Sequence, residues 1–306
     1  MADDKVLFVF DRFAGINNVE KSFRLPVVRD SQNHKQFDMA ELENLDIDNS
    51  MVLSTRPGSD LKLSGTDMHS LWSDGNLTCL YVDSDVLYSL STLYAATALG
   101  TVGSGRMSYA PWNDRVYMTN GSYIGYYHNN TLNLLTDPGV QFKLPLPAGR
   151  FICYFLGRLY VAKGRVLYIS DAMCDHYDIR TGFRVFENDI TLLAPVDKGI
   201  YLADGLTYFL SEKRAFADDP AELRKLKVLD CDAIPYTARE INGKDVADGT
   251  SENYAMWAST DGIIIGDSDG KIKNLTHARY SMPACGMGGA VVRNIDGTVH
   301  YITTLQ

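Results

Sequence analysis

The sequence predicts an all-β fold: a β-propeller of about six blades, with an extended N-terminal arm and one short inserted helix. Three observations carry this. One phrase recurs along the chain: a turn residue, about four apolar or aromatic residues, a second turn and a second apolar run. The residues of the runs, mainly Tyr, Val, Ile and Leu, suit a pleated and half-buried surface. The turns between them are rich in Gly, Asn and Asp, which accept positive φ.

In chain order, residues 1–60 read as an N-terminal strand and docking arm, and residues 61–306 as the propeller. Residues 11–50 are polar and loop-like. Within them Phe13, Phe23, Leu25 and Phe37 stand out as apolar residues in a polar setting and are candidate anchors on a partner; the equally weighted alternative is that they cover the propeller's own lower face. The hairpin phrase appears at Gly75–Tyr88, Asn113–Tyr127, Gly157–Asp171, Lys198–Leu210 and Asp261–Ile272, with a half copy at Asp296–Ile302. A further short run precedes each hairpin: Ser70–Trp72, Met107–Tyr109, Phe151–Phe155, Ile190–Leu193, Tyr254–Trp257 and Gly289–Val292. A unit of three or four short antiparallel strands has two apolar faces and cannot bury both alone. Stacked around an axis, each unit covers its neighbours. The repeat length is near the roughly 40–50 residues of a four-stranded blade. Ring closure needs a strand from the other terminus, and Lys5–Phe10 and Met51–Thr55 are the candidates to complete the last blade. Between the fourth and fifth units, Asp219, Pro220 and Glu222 form a capping signature ahead of a stripe at Leu223, Leu226 and Leu229. That pattern predicts a short helix on the rim of the fourth blade.

Composition narrows the function. The chain has 306 residues, 29 Lys and Arg against 38 Asp and Glu, and a formal net charge of −9. Phosphate backbones and anionic lipids are bound by clustered basic residues, so neither is expected as the main partner. The first ten residues place acid before a short apolar run, unlike a signal peptide, and no window has the apolar length of a membrane span. The cysteines at 79, 153, 174, 231 and 285 are odd in number and form no CxxC pair, which points to a reducing compartment rather than a disulfide framework or a zinc ribbon.

Catalytic signatures are sparse. No GxSxG, Walker loop or HExxH occurs. The neighbouring Cys174, Asp175 and His176 are ligand types, but adjacent residues point different ways and read as a loop. Asp267–Gly270 and Asp46–Asn49 resemble fragments of calcium loops without the distal Glu; hairpin turns explain them better. Ser259–Gly262 resembles part of the Asp box of sialidase propellers but lacks the aromatic residue that follows. The tyrosines at 81, 88, 117, 127, 160, 168, 201 and 208 read as packing between blades rather than a sugar-binding stripe. No catalytic residue, metal or cofactor is assigned.

Short phrases spread over nearly the whole chain carry a resemblance. They include Phe13–Asn18, Arg24–Pro26, Leu42–Asp48, Arg56–Gly58, His69–Trp72, Tyr168–Asp171, Thr207–Ser211, Ile234–Pro235, Trp257–Gly262, Gly270–Thr276 and Arg279–Tyr280. The pattern resembles β-propeller virion proteins of tailed bacteriophages and prophages, and more loosely the packaged-DNA-stabilisation and head-completion proteins of short-tailed phages. The resemblance implies a non-enzymatic structural protein of the neck or tail, made in the host cytoplasm and incorporated into the virion. Its partners would be other virion proteins, in symmetric copies around the tail axis, with no membrane and with nucleic acid met only by proximity to the channel. The alternative expectation is a carbohydrate-binding or glycan-cleaving propeller, receptor-binding or glycosidase-like.

Overall fold

The computed structural model describes residues 13–20, 27–29, 35–41, 43, 45–47, 53–55, 58, 60–75, 78–212, 223–246, 251–295 and 298–306. Within them the chain is a β-propeller. Five antiparallel sheets of four strands follow one another. The first blade comprises Met68–Ser73, Cys79–Asp83, Val86–Leu90 and Ala96–Thr101. The second is Ser108–Trp112, Arg115–Thr119, Ile124–His128 and Thr131–Leu134. The third is Phe151–Phe155, Arg158–Lys163, Val166–Ile169 and Phe183–Val185. The fourth is Leu192–Val196, Gly199–Ala203, Thr207–Glu212 and Leu223–Leu229. The fifth is Arg239–Asn242, Asn253–Ser259, Gly262–Gly266 and Ile272–Asn274. A sixth sheet pairs Gly288–Ile295 with Thr298–Leu305.

The predicted hairpins form because their turns suit left-handed backbone. Asn113 and Asp114, at φ 50° and 56°, close the hairpin of Trp112 and Arg115, a two-residue turn whose twist matches the strands. From the second blade to the sixth sheet, first strands lie against one another and so line the axis. The core is divided among the seams. Leu80, Leu87 and Met118 fill the first seam, and Trp112, Tyr117, Ile152 and Leu159 the second. Phe155, Tyr160, Ile200 and Leu210 fill the third, Tyr201, Trp257 and Ile264 the fourth, and Ile241, Met256 and Tyr301 the fifth. The second to fifth sheets thus hide both faces against their neighbours, as the repeat required.

Three expectations change. Leu223–Leu229 is not helical: it pairs antiparallel with Thr207–Glu212 as the outer strand of the fourth blade. Edge pairing satisfies its backbone and buries Leu223, which outweighs a weak helical preference. The capping residues Asp219, Pro220 and Glu222 lie outside the described residues. Leu53–Thr55 pairs with Leu45–Ile47 rather than with the last blade, because a nearby partner closes a far shorter loop; Lys5–Phe10 lies outside the described residues. In the fifth blade, Tyr254–Trp257 sits in the second strand, and Arg239–Asn242 is the first.

The arm's described strands form a small sheet: Phe13–Ile16 runs parallel to Lys35–Met39, which pairs antiparallel with Val27–Arg29. Phe13 and Phe37 are register partners, both half-buried; Phe23 and Leu25 lie outside the described residues. Two quoted phrases meet here. The Asn18 side chain accepts the Ser281 amide at 2.7 Å and donates to its carbonyl at 3.3 Å, and Arg279 is ion-paired with the buried Asp38. The arm is therefore fastened to the connection between the fifth and sixth blades.

Candidate functional site

Three blade connections and the end of the last strand meet at the end where the chain enters the first strands. They bring together Arg106, Arg150, Phe151, Tyr236 and Gln306. Arg106 precedes the second blade, yet its Nη1 donates to the carbonyl of Gly288 at 2.6 Å and its Nη2 to Gln306 Oε1 at 2.8 Å, both at the base of the sixth sheet. Arg150 precedes the third blade, and its Nε donates to the Tyr236 hydroxyl, at the start of the fifth, at 3.4 Å. The two guanidinium carbons lie 5.9 Å and 5.2 Å from the centroid of the Tyr236 ring. Phe151, buried, meets that ring at 5.1 Å between centroids.

Local sequence explains the placement. Arg106 and Arg150 each follow a glycine whose backbone is pressed against the blade. A Cβ on Gly105 would come within 2.6 Å of the Asn120 carbonyl oxygen, and one on Gly149 within 2.5 Å of the Ala162 carbonyl oxygen. Only glycine permits that approach, and it sets the next side chain at the mouth. Tyr236 has φ 68°, a conformation rare for a bulky residue and maintained only when neighbours over-determine it. Here they do. The fully buried Thr237 hydroxyl donates to the Ile234 carbonyl at 2.7 Å and accepts the Ala258 amide at 3.1 Å. Tyr301 donates to the Thr237 carbonyl at 2.7 Å, and Gly288 N–H to the Pro235 carbonyl at 3.0 Å.

Among the described residues neither Arg106 nor Arg150 is ion-paired with a carboxylate. Asp232, in the connection into the fifth blade, accepts the Thr191 hydroxyl and the Ala233 amide. The mouth thus holds two cations on aromatic faces within a chain of net charge −9. None of these residues was singled out from the sequence. The signal was present: Gly-Arg followed by an apolar residue opens two consecutive blades, at Gly105–Met107 and Gly149–Phe151.

The sequence-level candidates resolve into structure. Near Cys174 and Asp175, His176 Nε2 lies 3.4 Å from Asp171, Lys143 Nζ lies 2.6 Å from Asp171 and 3.2 Å from Asp178, and Arg180 lies 2.7 Å from Asp178. This is an ion-pair network that pins the small sheet of Lys143–Pro145 and His176–Asp178. Hydrogen bonds from Arg180, then Lys143, hold the Asp178 carboxyl well below the usual carboxylate range, and Asp171 and Asp178 raise Lys143. Among the described residues no cluster suited to a metal occurs. Asp267 caps its own turn, accepting the amides of Asp269 and Lys271 at 2.9 and 2.8 Å, while Asp48 and Asn49 of the other acidic turn lie outside the described residues. In the phrase at Ser259–Gly262 the serine hydroxyl donates to the Gly262 carbonyl at 2.9 Å. Tyr117, Tyr160 and Tyr201 are buried between blades. Among the described residues no helix is long and apolar enough to cross a membrane.

No family model matches the sequence, and no curated protein does. Solved structures do share its fold. The N-terminal domain of BBS1, solved with ARL6, aligns with a TM-score of 0.50 at 12% identity, covering 86% of each chain. A gluconolactonase from Xanthomonas campestris aligns with a TM-score of 0.44 at 10% identity, over 79% of this chain and 87% of that one. A luciferin-regenerating enzyme aligns with a TM-score of 0.36 at 10% identity, over 78% of this chain and 91% of that one. At these identities the likeness is one of fold. It nonetheless corrects one expectation. The chain was read as non-enzymatic because catalytic signatures are sparse, but enzymes stand among the structures of similar fold, so that exclusion is withdrawn. A propeller draws its site from separate connections, and a scan for local signatures does not test it.

Proposed function

We propose that this chain is a ligand-binding propeller that takes a carbohydrate at its axial mouth. The observation that carries the reading is the convergence of Tyr236, Phe151, Arg106, Arg150 and Gln306 from separate blades, with Tyr236 held in a strained backbone conformation. Saccharides present apolar C–H faces and many hydroxyls. A mouth of aromatic edges and planar donors meets both. Strain maintained by a surrounding hydrogen-bond frame is common where a side chain must be preset for a ligand. The test is a glycan panel scored for binding and for cleavage, with wild type and Tyr236→Ala. Binding of a defined glycan set, weakened at least tenfold by the substitution, supports the reading. No glycan bound, or binding indifferent to Tyr236, overturns it.

A second reading, assembly into a tailed-phage particle, is favoured by the arm. Asn18 and Asp38 fasten it to Ser281 and Arg279, so residues of two phrases in the virion resemblance, Phe13–Asn18 and Arg279–Tyr280, meet in one unit. Proteomics of purified particles tests it. The chain in fixed stoichiometry with other tail or neck proteins is the expected result, and its absence from particles ends the idea. The readings are compatible, since a particle surface that reads glycans needs both.

A further inference from the structure

We infer that the ligand at the axial mouth is anionic: a saccharide bearing a carboxylate, held between Arg106 and Arg150. The inference rests on the saccharide reading above and adds the charge class. Both guanidinium groups flank one ring, and among the described residues no carboxylate neutralises either. Several cations of this acidic chain are neutralised by carboxylates, Lys143 by Asp171 and Asp178, Arg180 by Asp178, Lys198 by Glu252 and Asp269, and Arg279 by Asp38, whereas Arg106 and Arg150 share one ring and are bonded to a carbonyl, an amide and a phenol.

The donors have capacity to spare. A guanidinium carries five N–H groups. Arg106 spends one on the Gly288 carbonyl and one on Gln306; Arg150 spends Nε on Tyr236. Those bonds fix both side chains, so little entropy is lost when an anion arrives. Tyr236 is the aromatic ring that both share. The planar fork matches a carboxylate in two parallel bonds.

Calorimetric titration of the full chain with glucuronate, glucose, acetate and inorganic phosphate tests this, in wild type, Arg150→Gln, Arg150→Lys and Arg106→Gln, with thermal melts as the folding control. Glucuronate is expected to bind at least tenfold tighter than glucose, to weaken as salt is raised, and to lose about tenfold or more in Arg150→Gln. Arg150→Lys keeps the charge without the fork and retains part of the affinity. Arg106 also ties the sixth sheet, so should Arg106→Gln fail to fold, Arg150→Gln decides. Glucose binding as tightly as glucuronate overturns the anion inference and leaves the saccharide reading standing. Acetate and phosphate binding as tightly as glucuronate overturns the saccharide reading instead, since the sugar then adds nothing. No binding of any of the four overturns the inference.

Discussion

Asp178 shows how single charges are used away from the mouth. Its carboxylate is nearly inaccessible and accepts Arg180 Nε at 3.0 Å, Arg180 Nη2 at 2.7 Å and the Arg180 amide at 2.9 Å, with Lys143 at 3.2 Å. Its folded pKa is depressed, so the unfolded chain takes up this proton first as pH falls. The stabilisation is complete above the ordinary carboxylate range, about pH 4, and is lost as pH drops through the folded value below it. Asp178→Asn is therefore expected to melt lower than wild type at neutral pH and to show a flatter acid limb, the two curves converging toward low pH. Parallel curves across a pH series of thermal melts would show that the pair does not act through this proton. The two mouth arginines are the opposite case. They are held by neutral groups, carbonyl, amide and phenol, so their charge is available to a ligand rather than spent on the fold.

Between elements, hydroxyl side chains tie neighbouring blades where backbone ladders do not reach. Thr119, fully buried at the end of the second strand of its blade, accepts the Gly149 amide at 2.9 Å and sits 2.8 Å from the Gly149 carbonyl. Ser108 accepts the Ile152 amide at 3.1 Å and donates to the Ile152 carbonyl at 3.2 Å. Thr119→Val keeps the shape and orphans a buried amide, a loss of about 1–3 kcal/mol. Gly149→Ala drives a Cβ into the backbone of the adjacent strand, a loss of about 1–3 kcal/mol or more. Both are read as lower urea midpoints with unchanged slope; a midpoint unmoved in Thr119→Val would show that water replaces the bond. At this scale the sequence was largely legible, because hairpins are local: apolar runs and Asn-Asp or Gly turns sit side by side in the chain. It misled at Leu223–Leu229, where leucines three apart fit a helix stripe equally well as an outer strand, and only the free edge of Thr207–Glu212 decides between them. The mouth was not legible in the same way, since Arg106 and Gln306, or Arg150 and Tyr236, are neighbours only once the blades are arranged in a ring.

At the scale of the whole molecule, successive blades are joined by aromatic seams, and their phenols make its stability depend on alkali. Burial pushes Tyr123 and Tyr301 up to about 12 from an ordinary value of 10, and raises Tyr109 and Tyr201 further still. In the unfolded chain all four ionise near the ordinary value. Between about pH 10 and 12 the unfolded state thus holds fewer protons than the folded one, and the unfolding free energy falls as pH rises. These residues span different seams: Tyr123 packs against the first, Tyr201 lies in the fourth, and Tyr301 packs against the fifth. Because each blade is covered only by its neighbours, opening one seam exposes the next. The expected behaviour is a single cooperative alkaline transition, in which phenolate absorbance from the buried tyrosines rises together with loss of β-sheet circular dichroism. Tyr301→Phe removes one of the linked protons and is expected to reduce the pH dependence of the urea midpoint in this window, though losing its bond to Thr237 lowers stability at neutral pH. Full phenolate absorbance reached near pH 10 with the sheet signal intact would mean that water already reaches these rings, and that the seams are not what holds the blades together.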